Sequence, residues 1–128
     1  MPYEITSNLS DLSGENQLKI SRETTQTIAA HRATIQRILS GEDTRKLIIC
    51  GPCSIHARSS ALSYARRLAA LAQTVSDELF LVMRVYFEKP RTQYAWKGFL
   101  HQPSVTGPLD LARGITDARA ILAEIAEL

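Results

Sequence analysis

The chain has 128 residues, a formal net charge of +2, and 45% apolar against 22% charged residues. That is enough apolar material for one packed domain or part of a larger one. Scattered Lys and Arg with no basic run exclude a dedicated nucleic-acid surface, and no apolar run approaches the ~20 residues of a membrane-spanning helix.

Residues 1–20 are polar and irregular and read as an N-terminal arm. The opening MPYEITSNLS lacks the basic and apolar regions of a signal peptide, so the expected location is cytoplasmic. In a reducing compartment the two cysteines stay thiols unless they are catalytic or bind metal. A helix is expected over 21–40, with Ser21 as N-cap, Glu23 in the first turn, Gly41 just past the end, and an apolar stripe of Ile28, Ile35, Ile38 and Leu39. KLIIC (46–50) is a short apolar run stopped by Gly51-Pro52 and reads as a buried strand. SSALSYARRLAALAQTV is a second amphipathic helix, with Leu62, Ala65, Leu68, Ala69 and Ala72 facing inward. LFLVMRVYF (79–87) is a second strand rich in β-formers, followed by a long loop with dense cations and aromatics over 88–108. The last stretch, LDLARGITDARAILAEIAEL, reads as a helix striped by Leu111, Ile115, Ile121, Leu122 and Ile125, with Gly114 as a weak point.

Strand, helix, strand in this order is a βαβ unit with parallel strands. Two fully apolar parallel strands need cover on both faces and neighbours on both edges. The expected fold class is therefore α/β: the N-terminal portion (strand–helix–strand–helix, 46–128) of a (β/α)8 TIM barrel, or of a doubly wound sheet, incomplete in this chain.

Chemistry concentrates at two places. Cys50-Gly51-Pro52-Cys53 matches the C-x-x-C of a thioredoxin-like disulfide oxidoreductase, which places its first cysteine at a helix N-terminus and a proline opposite, for which Pro90 is the nearest candidate. The flank Ile48-Ile49 and the non-apolar RTQYAW after Pro90 count against that reading. A structural zinc site needs four ligands in two spaced pairs, and His31, His56 and His101 form no second pair. Cys50 suits a buried strand end, whereas Cys53 stands at the carboxyl end of the strand, where barrel active sites collect. Arg84, Lys89 and Arg91 form the second cluster. An arginine within an apolar strand needs an anionic partner, for which Glu88 is available, and three converging cations make a cradle for phosphate and carboxylate groups. Trp96-Lys97-Gly98 extends that basic surface, Trp96 serving equally as a packing anchor for the loop.

GPCSIH (51–56), MRVYFEKPRT (83–92) and WKG (96–98), in this order and at these separations, closely resemble the metal-dependent type I 3-deoxy-D-arabino-heptulosonate-7-phosphate (DAHP) synthases, from about residue 18 to the C-terminus. The resemblance implies a (β/α)8 barrel that condenses phosphoenolpyruvate with erythrose 4-phosphate at the start of the shikimate pathway, with release of inorganic phosphate. It implies that Cys53 is a thiolate ligand to a divalent metal of the Mn, Fe, Co or Zn type. Arg84 and Lys89 would hold phosphoenolpyruvate, with Lys89 near the reacting centre. Pro90, Arg91 and Thr92 would shape the erythrose 4-phosphate site, and Lys97 would add to the phosphate surface. Family members form homo-oligomers. Three positions depart from the family pattern: Ala57-Arg58 stand where Asp-Pro is common, and Ala95 stands where a Gly often precedes the Trp. The family's remaining metal ligands, a His, a Glu and an Asp, lie on later strands. The chain is accordingly expected to be a fragment that does not retain the metal and is inactive alone. A thioredoxin-like oxidoreductase using Cys50 and Cys53, and a non-catalytic partner of a full-length synthase, remain the alternatives.

Overall fold

The computed structural model describes residues 20–88 and 95–128. Its elements are α1 (Arg22–Ser40), β1 (Lys46–Cys50), α2 (Arg58–Thr74), β2 (Leu79–Met83) and α3 (Leu111–Ala126). The two strands pair in parallel, from Lys46 opposite Leu79 to Cys50 opposite Met83, with α2 as the crossover between them. The N-terminal arm lies outside the described residues except for Ile20, which is exposed. Among the described residues no helix is long and apolar enough to cross a membrane.

Local chemistry sets the helix ends. Ser21 is extended (φ −61°, ψ 157°) and its hydroxyl accepts the Thr24 amide at 3.0 Å, satisfying one of the orphan donors of the first turn. Gly41 closes α1 at φ 82°, a left-handed value that glycine adopts without a Cβ penalty, and its N–H reaches the Ile38 carbonyl. Asp110 caps α3 by accepting the Arg113 amide at 3.0 Å. The N-cap of α2 is Ala57, extended (φ −151°, ψ 144°) but with no side-chain acceptor to offer.

The core is built from Ile55, Ala61, Phe87, Phe99, Ala118 and Ile121, so it lies where α2 and α3 meet the segments that leave the carboxyl ends of the strands. Ile55 and Ile121 are the most enclosed large side chains, at 2% and 1% exposure. On α2, Leu62 and Ala65 are buried, joined by Ala61, while Leu68, Ala69 and Ala72 are half-buried. On α1 the enclosed residues are Thr24 and Thr34; Ile28, Ile35 and Ile38 are half-buried and Leu39 is 74% exposed. Thr24 sits where α1 starts against the end of α3, beside the Ser21 amide that donates to Glu127 Oε1 at 3.1 Å.

Gly114 is not a weak point. A Cβ there would overlap the Leu100 carbonyl oxygen and come within 2.8 Å of the Phe99 oxygen, so the missing side chain is what lets α3 lie against the 99–100 backbone. On α3 only Ile121 of the apolar stripe is fully buried; Leu122 is 45% exposed, and the small Gly114 and Ala118 make the close contact instead. The second strand is also shorter than its apolar run. Gly51-Pro52 turns the neighbouring chain away after Cys50, and the ladder ends with the Arg84 amide donating to the Cys50 carbonyl at 2.8 Å. Ile48 and Ile49 of β1 remain 39% and 63% exposed.

Candidate functional site

The carboxyl ends of β1 and β2 bring together the turn 51–56 and the extended segment 84–88. Four backbone and side-chain contacts lock them. The Arg84 amide bonds to the Cys50 carbonyl, the Ile55 amide donates to the Tyr86 carbonyl at 2.7 Å, and Arg84 Nη2 donates to the carbonyls of Pro52 (3.0 Å) and Cys53 (3.1 Å). Gly51 allows this approach, because a Cβ there would overlap the Arg84 carbonyl oxygen. Buried Ile55 then pins the turn to the core.

Arg84 therefore differs from the arrangement its sequence context suggests. It follows β2 rather than lying within it, its side chain is exposed, and its guanidinium meets two carbonyls instead of Glu88. Its Cζ lies 5.2 Å from the centre of the Tyr86 ring, a cation–π distance. Glu88 faces His101 at 3.5 Å.

Cys53 is exposed and Cys50 half-buried, and neither is in a disulfide. Cys50 neighbours Tyr64 of α2, whose phenol is pushed above its ordinary value, first by burial and then by the adjacent thiol. With Cys50 ending β1 and α2 starting only at Arg58, neither thiol occupies a helix N-terminus, where the dipole would activate it for disulfide exchange.

Lys89, Pro90, Arg91 and Thr92 lie outside the described residues. Lys97 is exposed on the loop that follows, which Gln102 organises: its Oε1 accepts the Lys97 amide at 3.3 Å, its Nε2 donates to the Gly107 carbonyl at 2.7 Å, and its own carbonyl accepts the Trp96 indole N–H at 2.8 Å. Trp96 packs against the core, as a loop anchor would. Positive φ in this loop falls on Gly98 (98°). Sequence reasoning missed Tyr86 and Gln102, since an aromatic three residues past a strand and a loop glutamine carry no periodic signal.

Among the described residues no three His, Cys, Asp or Glu side chains converge as a metal-holding group. Cys53 is one donor of the several a catalytic ion needs, so the described residues do not by themselves fit a resident metal.

Fold and site together define an α/β protein in which, among the described residues, the Cys53 turn and the Arg84 guanidinium meet at the carboxyl ends of parallel strands, where α/β folds place their ligands. The model of the DAHP synthetase I family matches residues 16–126, and the chain belongs to that family. It is 52% identical over 101 residues to a Tyr-sensitive phospho-2-dehydro-3-deoxyheptonate aldolase of Salmonella typhimurium, covering 79% of this chain and 28% of that protein. It is 42% identical over 112 residues to a phospho-2-dehydro-3-deoxyheptonate aldolase of Amycolatopsis methanolica, covering 88% and 55%. A solved phospho-2-dehydro-3-deoxyheptonate aldolase from Francisella tularensis superposes with a TM-score of 0.77 at 31% identity, over 92% of this chain and 33% of that one. The chain thus spans about a third or less of the first of these relatives and of the solved structure. The thioredoxin-like alternative finds no support in the fold or in these similarities.

Proposed function

We propose that this chain supplies the anion-holding portion of a 3-deoxy-7-phosphoheptulonate synthase, the aldol-type transferase that joins phosphoenolpyruvate to erythrose 4-phosphate. The observation that carries the reading is the Arg84 guanidinium bound to the Pro52 and Cys53 carbonyls, which makes one site of the two family motifs. Two anionic substrates require several fixed cations, because a carboxylate or phosphate leaving water is stabilised by charge-assisted hydrogen bonds. In this reading Arg84 and Lys89 take phosphoenolpyruvate, with Lys89 at the reacting centre. Pro90, Arg91 and Thr92 shape the erythrose 4-phosphate site, and Lys97 extends the phosphate-facing surface. Cys53 is proposed as one thiolate donor to a divalent ion. The βαβ arrangement and the match to a third of a solved relative support placing the chain at the start of a (β/α)8 barrel. The family resemblance adds the proposal that the whole enzyme is homo-oligomeric and cytoplasmic.

The test is a transplant. Residues 21–126 replace the matching segment of the Tyr-sensitive Escherichia coli relative, which is 52% identical over 101 residues, and phosphate release from the two substrates is followed. The chimera is expected to condense them, and Arg84→Ala within it to lower kcat/KM about ten- to hundredfold, the worth of a hydrogen bond to a charged group. A folded chimera without activity, or one indifferent to Arg84→Ala, would overturn the assignment.

A further inference from the structure

Arg84 is exposed, and a long exposed side chain ordinarily samples many rotamers, which is a poor basis for aiming charge at a ligand. Two features restrain this one. Its Nη2 is held by the carbonyls of Pro52 and Cys53, and its Cζ stands over the Tyr86 ring at 5.2 Å. Among the described residues the two carbonyls engage Nη2 alone, which leaves the Nε and Nη1 hydrogens for acceptors beyond them. Tyr86 is itself fixed from behind, because its carbonyl accepts the Ile55 amide at 2.7 Å and Ile55 is buried in the core. The Tyr86 backbone is thus anchored by the fold, and the residue is 39% exposed, so its ring reaches the Arg84 guanidinium at the surface.

We propose that Tyr86 is a positioning residue for anion recognition: its ring holds the Arg84 guanidinium over the turn that carries Cys53, with the Nε and Nη1 hydrogens presented to a phosphate or carboxylate oxygen at the strand ends. This rests on the reading of Arg84 as an anion-holding residue and adds the residue that aims it. Among the described residues the phenol oxygen has no part in the arrangement, so an aromatic ring without a hydroxyl serves as well.

The experiment uses the full chain, labelled for NMR at arginine and tyrosine, with inorganic phosphate as the probe. In the unmutated chain, nuclear Overhauser contacts between the Arg84 δ and ε protons and the Tyr86 ring are expected, with the δ protons shifted upfield by ring current. Tyr86→Phe should keep both signatures and the phosphate affinity. Tyr86→Leu should lose both and raise the phosphate dissociation constant about two- to fivefold, the worth of an exposed cation–π contact. Phosphate binding without any ring contact in the unmutated chain, or unchanged binding in Tyr86→Leu, would overturn the role of Tyr86 alone. Ring contact without phosphate binding would overturn the anion site, and the proposal with it. Should Tyr86→Leu fail to fold, the contacts in the unmutated chain and the behaviour of Tyr86→Phe still decide.

Discussion

Gly114 shows how one missing methyl group can set the packing of a helix. In a helix interior, replacing glycine by alanine ordinarily stabilises by about 0.5–1 kcal/mol, because the unfolded chain loses freedom. At Gly114 the new Cβ would overlap the Leu100 carbonyl oxygen and crowd that of Phe99, both rigid backbone atoms. Gly114→Ala should therefore reverse the usual sign and cost about 1–3 kcal/mol, the range for overpacking. Urea unfolding of the two chains checks it, and a gain in stability would show that α3 does not lie against the 99–100 segment. Gly51 works by the same rule with a different consequence. Its φ is not left-handed, so the requirement is space alone, and that space lets the Cys53 turn reach the Arg84 backbone.

At the scale of elements, the three helices begin in two different ways. Ser21 and Asp110 each satisfy an orphan amide, while Ala57 has the extended backbone of a cap without an acceptor. Ala57→Asp should consequently stabilise the chain by about 1 kcal/mol, and Asp110→Ala should destabilise it by a similar amount; thermal unfolding distinguishes the two signs. Acid should act on the carboxylates held in ion pairs and hydrogen bonds at the ends of the elements. Asp43 is held down to about 2 by the Arg45 side chain, whose Nη2 lies 2.7 Å away, and by the Arg45 amide. Glu127 is lowered by the Ser21 amide that ties α1 to α3, and Glu124 by its ion pair with Arg58 of α2. A carboxylate depressed in the folded state contributes stability that is complete above its unfolded value and lost as pH falls through the folded one. For Asp43 that window runs from 3.8 down to about 2. The unfolding midpoint should thus fall on acidification below about pH 4, and Asp43→Asn should flatten that slope; a slope unchanged by the substitution would remove Asp43 from the account.

The whole molecule explains which features were legible in the sequence. Helix caps at Ser21 and Gly41, the apolar strands and the motif order are local patterns, and the chain wrote them plainly. Burial of Thr24 and Thr34 in place of Leu39, the close approach at Gly114 and the true partners of Arg84 depend on segments distant in sequence, so no window contains them. The remaining whole-molecule feature is the sheet. Ile49 is 63% exposed on a strand of near-continuous apolar character, and a parallel strand of that kind is ordinarily covered on both faces. If the chain forms the start of a barrel, further strands and side-chain layers cover this residue in the complete assembly. Ile49→Ala separates the two situations by magnitude. In the chain itself, where the side chain faces water, the substitution should change stability by no more than about 0.5 kcal/mol. In the transplanted barrel, where it would be enclosed, the same change should cost about 2–5 kcal/mol, the price of an emptied core position. Denaturant unfolding of both pairs gives the comparison. A small effect in both contexts would mean that β1 does not line a closed barrel, and would count against the proposed placement of the chain.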